Sequence, residues 1–392
     1  MSTYRELLEA ARVRVEEIDV ATVAGLVDES EVVLLDVREP DETAQGVLPG
    51  ALTIPRGLLE TTVESAIGDR RSRIVVYCAT GVRSVFAANT LADLGYSNAL
   101  SMSGGFDGWK SEGRAFQVPD RLSGSQMARY RRHTLLPEVG EDGQRRLLDS
   151  SVLLVGAGGL GSPAGLYLAA AGVGRIGVVD LDVVDESNLQ RQVMHNTSRL
   201  GQRKVDSARL TLTQLNPDVE VVAIPEWLDG TNALEIVEGW DVIVDGADNF
   251  ATRYLLNDVS VKLGIPVVHG SIFRFEGQVS VFDPKDGPTY RDLLPEPPPP
   301  EFAPNCAEAG VLGVLPGIIG SLQALEAIKV LLGLGDVLRG RLLAFDALDL
   351  SFREFRIPTD PRNEVTWANR EHIELGDYTG SCCATVDRGK TR

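Results

Sequence analysis

The run Glu31-Val-Val-Leu-Leu-Asp-Val37 is apolar almost throughout, and Arg73-Ile-Val-Val-Tyr77 has the same character. Short apolar runs of this kind predict strands covered on both faces, as in a parallel sheet. A helical stretch over 82–94 follows the second run, giving the strand-helix alternation of an α/β fold. The segment 113–124 contains Pro119 and has no strong period, which marks it as a linker. A second series begins beyond it. Ser151-Val-Leu-Leu-Val155 and Ile176-Gly-Val-Val179 predict strands around a small-residue helix over 162–171. Further strands are predicted at 241–245, 266–269 and 277–282, and a long apolar helix at 317–332. No internal repeat relates the two series, and the run 297–300 is four prolines, a stiff local loop. The expected boundaries are 1–115 for a first domain, 116–125 for the linker and 126–378 for a second domain. A tail over 379–392, rich in small and charged residues, is expected to be mobile.

A length of 392 residues agrees with two domains at roughly 150 residues each. With 43% hydrophobic residues there is enough apolar material for two cores, which excludes a disordered chain. The net charge of −18 argues against nucleic acid as the main partner, because phosphate binding needs a basic face. No run reaches the ~18 consecutive apolar residues of a membrane span. The first residues lack the basic and apolar blocks of a signal peptide. The four cysteines, Cys78, Cys306, Cys382 and Cys383, are too few for a disulfide scaffold. A reducing cytoplasm is therefore expected, with each thiol a candidate reagent.

Cys78 directly follows the run Arg73-Ile-Val-Val-Tyr77 and opens the loop Cys78-Ala-Thr-Gly-Val-Arg-Ser84 ahead of a helix. Loop amides and a helix N-terminus favour thiolate or persulfide, and Arg83 adds positive charge at the helix start. The alternative is a buried structural cysteine; the reactive reading is favoured. Four further motifs join this loop in order. They are Asp36-Val-Arg-Glu-Pro-Asp-Glu42, Gly46-Val-Leu-Pro-Gly-Ala51, Ile54-Pro55 and Gly104-Gly-Phe-Asp-Gly-Trp109. Together they resemble a single-domain rhodanese over about 13–115. The resemblance implies that Cys78 carries a persulfide sulfur cradled by the loop up to Arg83, with Asp36 and Arg38 holding the framework. Val47 stands where such domains often have a histidine.

Gly156-Ala-Gly-Gly-Leu-Gly161 lies between a predicted strand and helix, as a nucleotide-phosphate loop requires. Asp180 ends the next strand, where a carboxylate reaches a ribose hydroxyl. Alone, this pattern says only nucleotide, and a nicotinamide dehydrogenase is its commonest meaning. Its company is Asn188-Leu-Gln-Arg-Gln192, Gly201-Gln-Arg-Lys204 and Gly246-Ala-Asp-Asn249. Hydride transfer has no use for clustered Arg, Lys and Asp, whereas adenylyl transfer does. With Arg129-Tyr-Arg-Arg-His133, Phe275-Glu-Gly-Gln278, Glu308-Ala-Gly-Val-Leu-Gly313 and Gly320-Ser-Leu-Gln-Ala-Leu-Glu326, the set resembles the ubiquitin-activating superfamily over about 122–357. The nearest branch in kind is the ThiF/MoeB-type adenylyltransferases that activate sulfur carriers. The fold implied is a rhodanese-like parallel-sheet domain followed by a Rossmann-like adenylating domain.

Carried over residue by residue, Gly156, Gly158, Gly159 and Gly161 lie under the phosphates of ATP and Asp180 holds the ribose. Asn188, Arg191 and Lys204 face the triphosphate, and Asp248, beside Asn249, binds magnesium. Arg132 matches a residue that reaches the other subunit's site, which implies a homodimer. Cys306 matches a loop position able to form a thioester or disulfide with the carrier. The implied partners are a small ubiquitin-like sulfur carrier ending in Gly-Gly and a sulfur donor, either a cysteine desulfurase or thiosulfate. Relatives usually hold a structural zinc with two Cys-x-x-Cys pairs. Here Thr289-Tyr-Arg-Asp292 and Asn363-Glu-Val-Thr366 stand in those places, so zinc is expected to be absent. Packing by Phe345, Phe352 and Phe355 is expected to take its place. The competing functional readings are an oxidoreductase with an appended sulfur donor, and a carrier-binding module without turnover. Cys382-Cys383 are read as a passive tail pair.

Overall fold

A computed structural model describes residues 3–27, 32–118, 122–297 and 310–376. The chain divides into two compact units, Met1–Arg121 and Leu122–Arg392. The first unit holds β1 (Glu17–Ile18), β2 (Val32–Asp36), β3 (Leu52–Thr53), β4 (Arg73–Tyr77) and β5 (Ala99–Met102). They form one parallel sheet in the order β1-β5-β4-β2-β3. The central strand β4 is buried from Ile74 to Tyr77, which is why its sequence is apolar without alternation. The segment expected to be a linker belongs partly to this unit. Val47 and Gln117 exchange backbone hydrogen bonds at 2.7 and 2.8 Å, and Phe116 meets Phe106 edge-on at 5.5 Å. Val47 thus serves the frame through its backbone.

The second unit adds β6 (Ser151–Val155), β7 (Arg175–Val179), β8 (Glu220–Ile224), β9 (Val242–Asp245), β10 (Val267–Phe273), β11 (Glu276–Phe282), β12 (Arg341–Asp346) and β13 (Ser351–Arg356). Their order is β13-β12-β11-β10-β9-β6-β7-β8. Strands β8 to β10 run parallel, and β10 to β13 turn back on one another as antiparallel neighbours. The chain leaves β6 in one direction, toward β7 and β8, and returns on its other side as β9. Such a reversal opens a crevice at the carboxyl ends of β6 and β9, where this class of sheet binds ligands. The helix Leu315–Leu332 has the length and composition of a membrane span. It instead packs on β9 to β11 and on the helix Gly161–Ala171.

The two segments that stand where relatives carry zinc ligands are joined by hydrogen bonds. The Asp292 carboxylate accepts the Thr289 amide at 2.6 Å through one oxygen and the Asp360 amide at 2.8 Å through the other. The Asn363 amide nitrogen donates to the Thr289 hydroxyl at 3.1 Å. With no thiolate present this donor set does not fit zinc. The aromatic expectation is corrected here. Phe345 stacks on Phe352 at 4.7 Å, but on β12 and β13, and Phe352 and Phe355 are 52% and 53% exposed at the sheet edge. Asp292→Ala orphans two amides and is expected to cost about 2–3 kcal/mol, lowering Tm by several degrees. A chelator should leave the native Tm unchanged, and a drop on chelation would restore a metal to this place.

Candidate functional site

In the first unit, β4 delivers Cys78 to the N-terminal end of the helix Val82–Asp93. The Cys78 side chain is almost fully buried. Its sulfur accepts the Gly81 amide at 3.2 Å and lies 3.7 Å from the Ser84 hydroxyl. Ser84 in turn donates to the Gly81 carbonyl and accepts from Ser101 at 2.9 Å. Gly81 has φ +93, a left-handed turn that aims its N–H back at the sulfur. The opposite wall is fixed by the amides of Phe106 and Asp107, which donate to the Cys78 and Ala79 carbonyls. Asp36 and Arg38 form a buried ion pair at 2.6 Å, and Arg38 also donates to the Gly46 carbonyl. They brace the frame and touch neither the sulfur nor its amide donor. Arg83 forms a bidentate pair with Glu42, a partner 41 residues away that the sequence pattern did not single out.

In the second unit the crevice between β6 and β9 is built from glycine contacts. Gly156 has φ +101, and a Cβ there would lie 2.8 Å from the Gly246 carbonyl oxygen. A Cβ on Gly161 would overlap the Gly156 carbonyl oxygen itself. The loops after β6 and β9 therefore touch backbone to backbone. The Asp180 carboxylate accepts the Ala157 and Asp182 amides, both at 2.8 Å, and burial raises its pKa above the usual carboxylate range. His195 holds the other side of Ala157, with Nε2 2.8 Å from its carbonyl and Nδ1 2.9 Å from the Ser207 hydroxyl. Burial pushes this imidazole below its ordinary range, so neutral Nε2–H donates to Ala157 and Nδ1 accepts from Ser207.

The segment Asn188 to Gln192 comes against the same loop. A Cβ on Gly159 would lie 3.6 Å from Arg191, and one on Gly158 3.6 Å from Gln192. Arg191 is oriented by Asn188 Oδ1 at 2.6 Å. Lys204 is buried, with Nζ 2.7 Å from Asp182 Oδ2. Asp182 was not legible as a site residue, although it stands two positions after Asp180. After β9, Asp248 is exposed, while Asn249 caps the helix Phe250–Leu263 by accepting the Thr252 amide at 2.9 Å. Asn249 thus sets the loop in place through its side-chain oxygen.

A second layer supports that loop. Asp245, at the end of β9, accepts the Ala247 amide at 3.0 Å and pairs with His269 Nδ1 at 2.8 Å. Arg253 donates to the Ala247 carbonyl at 2.9 Å, and Gln323 donates to the Asp245 carbonyl at 2.7 Å. Burial holds His269 neutral, and the Asp245 carboxylate opposes that shift. Gln323 lies in the motif 320–326 read from the sequence, whereas the signal for His269 is the rarity of histidine, four in the chain. The donor set at Asp248 fits magnesium: one exposed carboxylate beside a phosphate loop, the remaining positions being left to phosphate and water. Among the described residues no three His, Cys, Asp or Glu side chains cluster as a metal site.

Arg132 is not brought to this crevice. It lies on the helix Gly124–Thr134, whose Tyr130 packs over Gly172. Gly172 caps the far end of the helix Gly161–Ala171, about 16 Å from the glycine loop at 1.5 Å per residue. Arg132 is exposed and pairs with no described residue. Cys306, Cys382, Cys383 and the tail lie outside the described residues.

Residues 130–366 match the model of the ThiF family, and residues 19–112 that of the rhodanese-like domain. A probable adenylyltransferase/sulfurtransferase, MoeZ, of Mycobacterium tuberculosis is 50% identical over 270 residues, covering 68% of this chain and 67% of that protein. A sulfur carrier protein adenylyltransferase of Thermus thermophilus is 51% identical over 267 residues, 67% of this chain and 98% of that protein. The crystal structure of E. coli MccB with ATP superposes with a TM-score of 0.54 at 20% identity, covering 63% of this chain and 76% of that one, a likeness of fold alone. On the family match and on these identities, the chain belongs to the ThiF family and carries a rhodanese-like domain ahead of its adenylating fold.

Proposed function

We propose that this chain is an adenylyltransferase and sulfurtransferase that converts the C-terminal glycine of a small ubiquitin-like sulfur carrier into a thiocarboxylate. The observation that carries this reading is that one chain holds both a cysteine whose sulfur accepts a loop amide and a phosphate crevice flanked by Arg191, Lys204 and Asp248. Relatives named adenylyltransferase/sulfurtransferase and sulfur carrier protein adenylyltransferase support it.

The carrier carboxylate attacks the α-phosphorus of ATP, and pyrophosphate leaves. The acyl-adenylate makes a poor electrophile reactive by giving it AMP as leaving group. The amides of the Gly156–Gly161 loop and the N-terminus of the helix Gly161–Ala171 face the phosphates. Arg191 and Lys204 oppose developing negative charge there. Magnesium held by Asp248 would neutralise phosphate charge when bound. The outer sulfur of a Cys78 persulfide then attacks the activated carbonyl and expels AMP, leaving carrier and Cys78 joined as an acyl disulfide. A second thiol attacks the Cys78 sulfur, releasing the thiocarboxylate and forming a disulfide with Cys78. Cys306 is the chain's own candidate for that thiol. This chemistry belongs in a reducing cytoplasm. Arg132, remote from its own crevice, would serve the site of a second copy, which supports a homodimer.

The test is ATP–pyrophosphate exchange with a panel of carriers ending in Gly-Gly. Exchange is expected with one carrier, falling about a hundredfold or more in Asp248→Ala. No exchange with any carrier, while Cys78 still takes up sulfur, would overturn the fused mechanism.

A further inference from the structure

The place of the exposed Asp248 carboxylate is set by how the chain on either side of it is held. After it, Asn249 is pinned by its cap on the Thr252 amide. Before it, both backbone groups of Ala247 are engaged. The Ala247 amide donates to Asp245 Oδ1 at 3.0 Å, and its carbonyl accepts an Arg253 terminal nitrogen at 2.9 Å. Asp248 therefore stands between two fixed residues, with Oδ1 3.5 Å from the Asn249 amide nitrogen.

The two groups that hold Ala247 carry opposite charge, and their side chains are only 3% and 10% exposed. A buried carboxylate and guanidinium favour closing into a two-bond pair. Here they do not close. Arg253 Nε has no hydrogen-bond partner and lies 3.7 Å from Asp245 Oδ2, where the charges attract without a bond. His269 fills the oxygen that Nε would take. It is the register partner of Asp245 on the neighbouring strand β10, so both side chains leave the same face of the sheet. Its Nδ1–H donates to Oδ2 at 2.8 Å, and its ring lies against Phe282 and Tyr290 at 5.7 and 5.2 Å. We propose that His269 is a positioning residue for magnesium. By filling Asp245 Oδ2 it keeps Arg253 on the Ala247 carbonyl, and so fixes the Asp248 carboxylate where it meets the metal. Without that donor Oδ2 is an unsatisfied buried acceptor, Arg253 Nε closes on it, and the Ala247 carbonyl is released. This inference rests on the magnesium reading of Asp248.

The test titrates ATP into the full chain by calorimetry, once with magnesium and once with a chelator, and reads the gain in affinity that magnesium brings. His269→Phe keeps a ring beside Phe282 and Tyr290 but has no donor. It is expected to cut that gain roughly tenfold while chelated ATP binds as in the native chain. His269→Asn sets an amide nitrogen near the place of Nδ1 and should keep most of the gain. In an Arg253→Met background His269→Phe should bring no further loss, because it acts through Arg253. Hydrogen exchange without any ligand is the second readout. The Ala247 amide should exchange about tenfold faster in His269→Phe, with β9 and β10 staying native. A native magnesium gain in His269→Phe, a full loss repeated in the Arg253→Met background, or faster exchange spread through β9 and β10 overturns the inference. If magnesium brings the native chain no gain, the magnesium reading of Asp248 falls and this inference with it.

Discussion

Cys78→Ser is expected to abolish carrier thiocarboxylate formation, by at least about a thousandfold, while ATP–pyrophosphate exchange persists. The substitution is close to isosteric at a buried position, so the frame built by Asp36, Arg38 and the Gly81 turn should stand. Serine accepts the Gly81 amide in place of sulfur but cannot carry a transferable sulfane atom. Exchange relies on the crevice between β6 and β9, which lies in the other unit of the chain. Thiocarboxylate production by Cys78→Ser at near-native rate would mean that sulfur reaches the acyl-adenylate by another route. Following both reactions on the same preparation separates loss of sulfur delivery from loss of folding.

The strands most legible in the sequence are those buried on both faces. Arg73–Tyr77 and Ser151–Val155 are apolar beyond their first residues because the strands are covered on both sides. The strands Glu220–Ile224, Arg341–Asp346 and Ser351–Arg356 escape the same criterion. They lie toward the sheet edges, where half or more of each strand meets solvent and the apolar run breaks up. Phe352 and Phe355 were expected to pack in place of zinc, and an edge strand leaves them exposed.

The glycine loop, Cys78 and Asp248 were legible because their chemistry depends on local spacing. The groups that support them were not. Arg83 finds Glu42 across 41 positions, and His269 finds Asp245 across 24. Asn363 finds Thr289 across 74. The Arg83 and His269 pairings are set by which elements the topology brings together, which no motif spacing encodes; the resemblance implied that 289–292 and 363–366 meet, but not the hydrogen bond that joins them. Their residue types are visible in the sequence; their partners are not. Asn249 shows the converse, a motif residue whose side chain is spent on capping the helix that follows.

Gly161→Ala should remove carrier-dependent exchange by about a hundredfold or more and destabilise the second unit by about 2–4 kcal/mol. The added methyl would overlap the Gly156 carbonyl oxygen, a backbone atom that cannot swing aside as a flexible side chain would. Gly156 itself is pressed against Gly246, so any outward shift pushes on the β9 loop that bears Asp248. The N-terminus of the helix Gly161–Ala171 would turn away from the phosphates at the same time. Gly158→Ala supplies the contrast, because its Cβ would meet only the Gln192 amide nitrogen at an ordinary 3.6 Å. That variant should keep its thermal midpoint near native, so any lost exchange reports direct crowding of the nucleotide. Sulfur loading of Cys78 should survive both changes, since the rhodanese-like unit has its own core. If Gly161→Ala exchanges normally, phosphate binding at this loop is wrong, and the adenylation site must be sought elsewhere in the second unit.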